Sequence, residues 1–156
     1  MGLDMYLYRR EYLSNYSWSS NSDKQKADFQ AITNAVGIQP CEQSPHIHVE
    51  VCVAYWRKAN AIHKWFCDCD GGRDECQDIF VSRVQLASLR NLCESVLLQP
   101  AIAQDVLPPQ SGFFFGSTEI DEWYMEDMKN TVKQLDKILS DVPEGTWTEF
   151  IYRASW

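Results

Sequence analysis

No run of about 18 consecutive apolar residues occurs anywhere in the 156-residue chain, which excludes an ordinary membrane-spanning helix. The opening MGLDMYLYRREYL has no basic segment ahead of an apolar run and carries Asp4, so no secretory leader is expected. Tyr6 stands where a myristoylated Gly2 would want Ser or Thr. An excess of basic residues is also lacking. The 14 Lys and Arg against 22 Asp and Glu leave a formal net charge of -8, a field that repels phosphate polyanions and favours a basic protein surface as partner. Direct binding of DNA or RNA is not expected. The acids are mixed with Lys and Arg, so mimicry of DNA by a dense carboxylate surface is not signalled either. There is no internal repeat and no linker that marks a domain boundary, which predicts one globular domain over residues 1–156.

What is present is an ample apolar fraction, 45%, with Trp, Tyr and Phe spread over the whole length, enough to build one core. Leu3, Met5 and Leu7 alternate with Asp4, Tyr6 and Tyr8, the period of a strand with one buried face. The polar stretch Asn15 to Asp28 reads as loop, followed by a short helix over Phe29 to Val36 that Gly37 ends. Pro40 and Pro45 keep 38–46 in a loop. Cys52, Tyr55, Ala59, Ile62 and Phe66 recur at helical spacing and predict an amphipathic helix from about Val49 to Phe66. Ile79 to Val81 reads as a short strand, and Ser82 with Gln85 as the capping box of a helix that buries Leu86, Leu89 and Cys93. Pro100, Pro108 and Pro109 bracket a linker. Thr118 with Asp121 reads as a second capping box, opening a long helix that stops before Pro143. The closing TWTEFIYRASW is β-branched and aromatic, a strand suited to pair with the first. The fold class expected is α+β: a small antiparallel sheet that includes the N- and C-terminal strands, packed against three or four helices.

Six cysteines in an ample core, without a leader, are expected to be free thiols, with Cys52 and Cys93 as small core residues. His63 and Cys67 share a helix face and can grip a tetrahedral zinc that Cys69 and Cys76 close from the loop. That set ranks below free thiols, because Cys-x-Cys is not the usual knuckle spacing and the carboxylates Asp68, Asp70, Asp74, Glu75 and Asp78 equally suit a solvated loop. The same loop fails as a calcium loop, with Arg73 in the place of the turn glycine. His46 and His48 lie on one side of an extended segment with no third ligand at a diagnostic spacing. No metal and no cofactor is therefore expected.

SGFFFGST precedes a helix start as a phosphate loop does, but lacks the Lys, and Glu119, Asp121 and Glu122 already complement the positive helix end. Its glycines instead permit bends that send Phe113, Phe114 and Phe115 in different directions, an exposed one being a protein-binding anchor. Trp56, Arg57 and His63 with Trp123 and Tyr124 are the residues of an alternative cleft for a ligand or a small enzyme, though no motif places a nucleophile beside them.

YWRKANAIHKWF, GLDMYLY and QSGFFFGSTEIDEWYMED, with VSRVQL between, make the chain resemble a family of small uncharacterised bacteriophage and prophage proteins. Members usually carry a longer acidic stretch where this chain has CDCDGGRDEC. The resemblance brings no catalytic residues. It implies an accessory protein of the bacterial host cytoplasm, and such proteins frequently block host machinery, CRISPR effectors among it, whose working surfaces are basic. The reading reached is a non-catalytic binding module, an inhibitor of a host defence system, facing a basic host protein or nucleoprotein. Its contact residues are Glu119, Asp121, Glu122, Glu126 and Asp127 with Phe113, Phe114 and Phe115 beside them. The alternatives are an enzyme or ligand-binding protein using the cleft, and an oligomeric structural component of the phage; a homo-oligomer is compatible with the sequence.

Overall fold

The computed structural model describes residues 2–18, 20–144 and 148–156. Four strands, β1 (Asp4–Ser14), β2 (His46–Arg57), β3 (Ile79–Val81) and β4 (Glu149–Ser155), form one antiparallel sheet in the order β2-β1-β4-β3, so the first and last strands are neighbours at its centre. Between them lie α1 (Asp23–Val36), α2 (Asn60–Cys69), α3 (Arg83–Leu98), α4 (Ala103–Val106) and α5 (Glu122–Asp141). The α+β class is as the sequence predicts. Thr146 and Trp147, read as the start of the last strand, lie outside the described residues. Among the described residues no helix is long and apolar enough to cross a membrane.

The chain packs as two compact units, Met1–Arg9 with Cys52–Trp156, and Arg10–Val51. In the larger unit Leu3, Met5 and Leu7 face inward with Trp56, Phe150 and Tyr152 of the other strands. Phe66 of α2, Leu86, Leu89 and Cys93 of α3, and Met128 and Leu135 of α5 complete this core, with α3 and α5 packed against each other. Strands β3 and β4 pair with Ile79 opposite Tyr152 and Val81 opposite Phe150, which places Tyr152 at the inner face beside α2. In the smaller unit α1 buries Phe29 and Thr33, and Tyr12 of β1 meets the rings of His46 and His48.

Four local expectations are corrected. The helix expected over Val49 to Phe66 is strand to Arg57 and helix only from Asn60. Ile47, Val49, Val51 and Val53 alternate with His48, Glu50 and Cys52, and β-branched residues at period two outweigh the looser helical spacing. Cys52 is thereby exposed on the strand, whereas Cys93 is buried in α3. Helix α1 starts earlier than expected, at Asp23. Ser22 caps it with Gln25 in a reciprocal box, so the part of the polar stretch from Asp23 to Asp28 is solvent-facing helix, and Gly37 ends α1 at φ 69, a left-handed cap that glycine adopts without strain. The Pro100 to Pro109 linker contains a 3-10 turn, Pro100–Ile102, and α4. Finally, Asp121 rather than Thr118 caps α5.

Candidate functional site

Asp121 Oδ1 accepts the backbone N–H groups of Trp123 and Tyr124, each at 3.0 Å, and this fixes the start of α5. From that start, Trp123, Tyr124, Glu126, Asp127 and Met128 line a cavity of about 540 Å³, with Glu119 and Asp121 ahead of them and Arg57 to Ala61 on the other side. Trp123 is 80% exposed, an indole left largely in water. Tyr124 is buried and donates its hydroxyl to the Leu107 carbonyl at 2.8 Å, with burial raising its pKa. Lys58, at φ 58, turns the chain from β2 into α2, and its N–H returns to the Leu3 carbonyl at 2.8 Å.

The loop facing this turn is stapled by Asn60. Its Nδ2 donates to the carbonyls of Phe115 (3.0 Å) and Ser117 (2.7 Å), and its Oδ1 accepts from the Gln110 N–H at 3.2 Å. Leu3 N–H adds a bond to the Phe114 carbonyl. The three phenylalanines diverge: Phe113 is 93% exposed, Phe114 half-buried and Phe115 buried. The Phe115 and His63 rings make a T-shaped contact with centroids 5.1 Å apart, and the Phe115 ring lies over Gly112, where an added Cβ would sit 2.5 Å from it. That close approach is what requires glycine at position 112.

The acids expected to form one contact surface divide. Glu119, Asp121, Glu122 and Glu126 are exposed, Glu126 meeting Lys129 at 3.4 Å. Asp127 is half-buried, and its carboxylate has no hydrogen bond or ion pair among the described residues. Burial, reinforced by the Asp121 and Glu126 carboxylates, pushes its pKa up to about 6. Asp127 is therefore no freely replaceable surface acid. Between an ordinary value of 3.8 and about 6 the folded form holds a proton that the unfolded chain has lost, so stability falls as pH rises through that window. Asp127→Asn is expected to raise the melting temperature at pH 7.5, a gain of about 1–2 kcal/mol after solvent screening, and to leave it unchanged near pH 4. Equal gains at both pH values would refute the assignment.

Of the alternative cleft residues, Arg57, Trp123 and Tyr124 line the cavity, but Trp56 and His63 do not. Trp56 is core, donating Nε1 to Thr131 Oγ1 at 2.9 Å, and that hydroxyl donates to the Asp127 carbonyl at 2.7 Å. His63 belongs to a separate buried network. Its Nδ1 lies 2.6 Å from Tyr152 Oη and its Nε2 2.9 Å from Asp74 Oδ1. The neutral ring that satisfies both carries its proton on Nε2 and accepts the phenol at Nδ1. Burial lowers the pKa of His63, with Asp74 opposing, and pushes the Cys67 thiol up to about 12. Cys67 Sγ stands 3.6 Å from Nε2. Asp74 is oriented by Gln110 Nε2 on Oδ2 (3.0 Å) and Trp156 Nε1 on Oδ1 (3.2 Å). Cys69 and Cys76, the other members of the sequence-based zinc set, are not in this group: Cys69 is half-buried at the end of α2, and Cys76 is exposed at φ 55.

No family model, curated protein or solved structure matches this chain. Its site is therefore read from its own residues. Asn60, Asp74 and Tyr152 carry the geometry and were not singled out by the sequence. Asp74 was one of five acids in a loop, and nothing in the local pattern marks a helix-start Asn that turns its amide onto a segment 50 residues away.

Proposed function

We propose that the chain is a non-catalytic protein-binding module that engages a basic surface of its partner through the start of α5. The observation that carries this reading is Trp123, exposed beside Glu119, Asp121 and Glu126 on the rim of one cavity. An indole in water among carboxylates matches a partner that offers Arg or Lys side chains, which bind the ring face and the acids together. Asp127 inside the cavity, without a partner of its own among the described residues, carries its charge there at a cost in desolvation that a cation reaching it relieves. Phe113 stands on the loop that continues into Gly116 and Ser117 of the same cavity lining, and is the second apolar anchor. The resemblance to phage and prophage proteins makes the partner a host protein or nucleoprotein, and inhibition of a defence complex the form of action. An enzymatic reading is less well supported: the cavity lining has no His or Cys among the described residues, and His63, Cys67 and Tyr152 are buried away from it.

The test is capture of host protein on immobilised wild type, Trp123→Ala and Glu126→Lys, at low and moderate salt. Both changes fall on exposed side chains and should leave the fold intact. Each is expected to weaken capture at least tenfold, about 1.4 kcal/mol, with the loss for Glu126→Lys larger at low salt. Unchanged capture by both variants would refute the proposal.

A further inference from the structure

We propose that His63, Cys67 and Asp74 form a zinc site, a property independent of partner binding. The donor atoms Nε2, Sγ and a carboxylate oxygen lie within 4.8 Å of one another. Two of them are already at coordination spacing: ligands about 2.3 Å (sulfur) and 2.0–2.1 Å (nitrogen) from a tetrahedral zinc stand roughly 3.5 Å apart, and Sγ to Nε2 is 3.6 Å. Helix α2 sets that spacing by placing residues 63 and 67 one turn apart on its buried face. The second pair, Nε2 to Asp74 Oδ1 at 2.9 Å, is at hydrogen-bond distance and needs to open by only about 0.4 Å, and the third, Cys67 Sγ to the Asp74 carboxylate, lies within the same 4.8 Å.

The surroundings favour a metal over a plain hydrogen-bond network. Three electron-pair donors converge on one point, and the one proton on Nε2 serves Asp74 and leaves the thiol with only long contacts to the ring, 3.6 and 3.9 Å. Both coordinating groups that need orientation have it from outside: Tyr152 Oη lies 2.6 Å from Nδ1, and Gln110 Nε2 holds the far oxygen of Asp74. Phe115, in a T-shaped contact with the His63 ring, closes that side. Asp74, with a partly exposed side chain, provides the path to solvent. A sulfur, nitrogen and oxygen set selects zinc over calcium or magnesium, which take oxygens alone. On binding, the Cys67 S–H bond breaks, its electron pair forms the S–Zn bond and the proton goes to solvent. The proton of His63 moves by exchange from Nε2 to Nδ1, where it faces Tyr152 Oη. Nothing is oxidised or reduced, and water takes the fourth position.

Chelator-treated, thiol-reduced protein titrated with cobalt(II) tests this. The expected result is one cobalt per chain with a thiolate-to-cobalt charge-transfer absorption, displaced by one equivalent of zinc. Cys67→Ser abolishes the band, and Asp74→Asn weakens zinc binding at least tenfold. The double change His46→Gln with His48→Gln leaves both intact. If Cys67→Ser fails to fold, Asp74→Asn decides, since it alters a partly exposed loop side chain. Absence of the band in wild type overturns the proposal, as does zinc affinity unchanged in Asp74→Asn, or a band lost in Cys69→Ser or Cys76→Ser but retained in Asp74→Asn.

Discussion

Asn60→Ala is expected to lower stability by about 2–4 kcal/mol, because one truncation leaves the Phe115 and Ser117 carbonyls and the Gln110 N–H without their side-chain partner. For a chain of this size that corresponds to a fall of roughly 5–15 °C in melting temperature. Asn60 is buried, so water does not readily replace it. Asn60→Asp separates the terms. It keeps an acceptor for Gln110 but sets a carboxylate against two carbonyl oxygens, and should be at least as unstable as the alanine variant. The same loop carries Phe113 and borders the α5 cavity, so partner capture should fall with it at temperatures where the variant is still folded. Thermal melting of both variants checks the prediction; alanine within about 1 °C of wild type would mean that the loop is held by Phe115 packing instead.

Trp56→Ala should be more damaging still, about 3–5 kcal/mol, since the largest fully buried side chain leaves a cavity beside Phe66 that the sheet and helices cannot close. Part of the loss is polar. Trp56 Nε1 donates to Thr131 Oγ1 in the core, and Trp56→Phe, which retains most of the packing, isolates that bond at about 1–2 kcal/mol. Thr131→Val removes the acceptor. In a double-mutant cycle Trp56→Phe and Thr131→Val should couple by at least 0.5 kcal/mol, whereas strictly additive effects in denaturant melts would show that the bond adds nothing.

The sheet-and-helix class was legible because its signals are local: the alternation at Leu3, Met5 and Leu7, the Ser82 box, the heavy apolar stripe of α5. The failures are local as well. Between residues 49 and 66 two periods overlap, and only the left-handed turn at Lys58 separates strand from helix, a backbone feature that no side chain announces. In α1, Lys24, Gln25 and Lys26 are solvated in helix and loop alike, so polarity did not discriminate. The acidic start of α5 was legible as charge, but its division into an exposed group and a half-buried Asp127 depends on what packs opposite. The buried network was half visible. His63 and Cys67 are one turn apart in sequence, while Asp74 and Tyr152 reach them only through the loop after α2 and the pairing of β4 with β3.

Trp156 donates its indole N–H to the same Asp74 oxygen that His63 engages, and its ring lies against Phe115. A fluorophore is thus wired to the carboxylate. Protonation, amidation or metal capture at Asp74 changes the electric field along the indole, so emission from this residue registers the state of the buried network without a label. Trp123 and Trp18, 80% and 79% exposed, are more open to collisional quenchers than Trp156 at 46%.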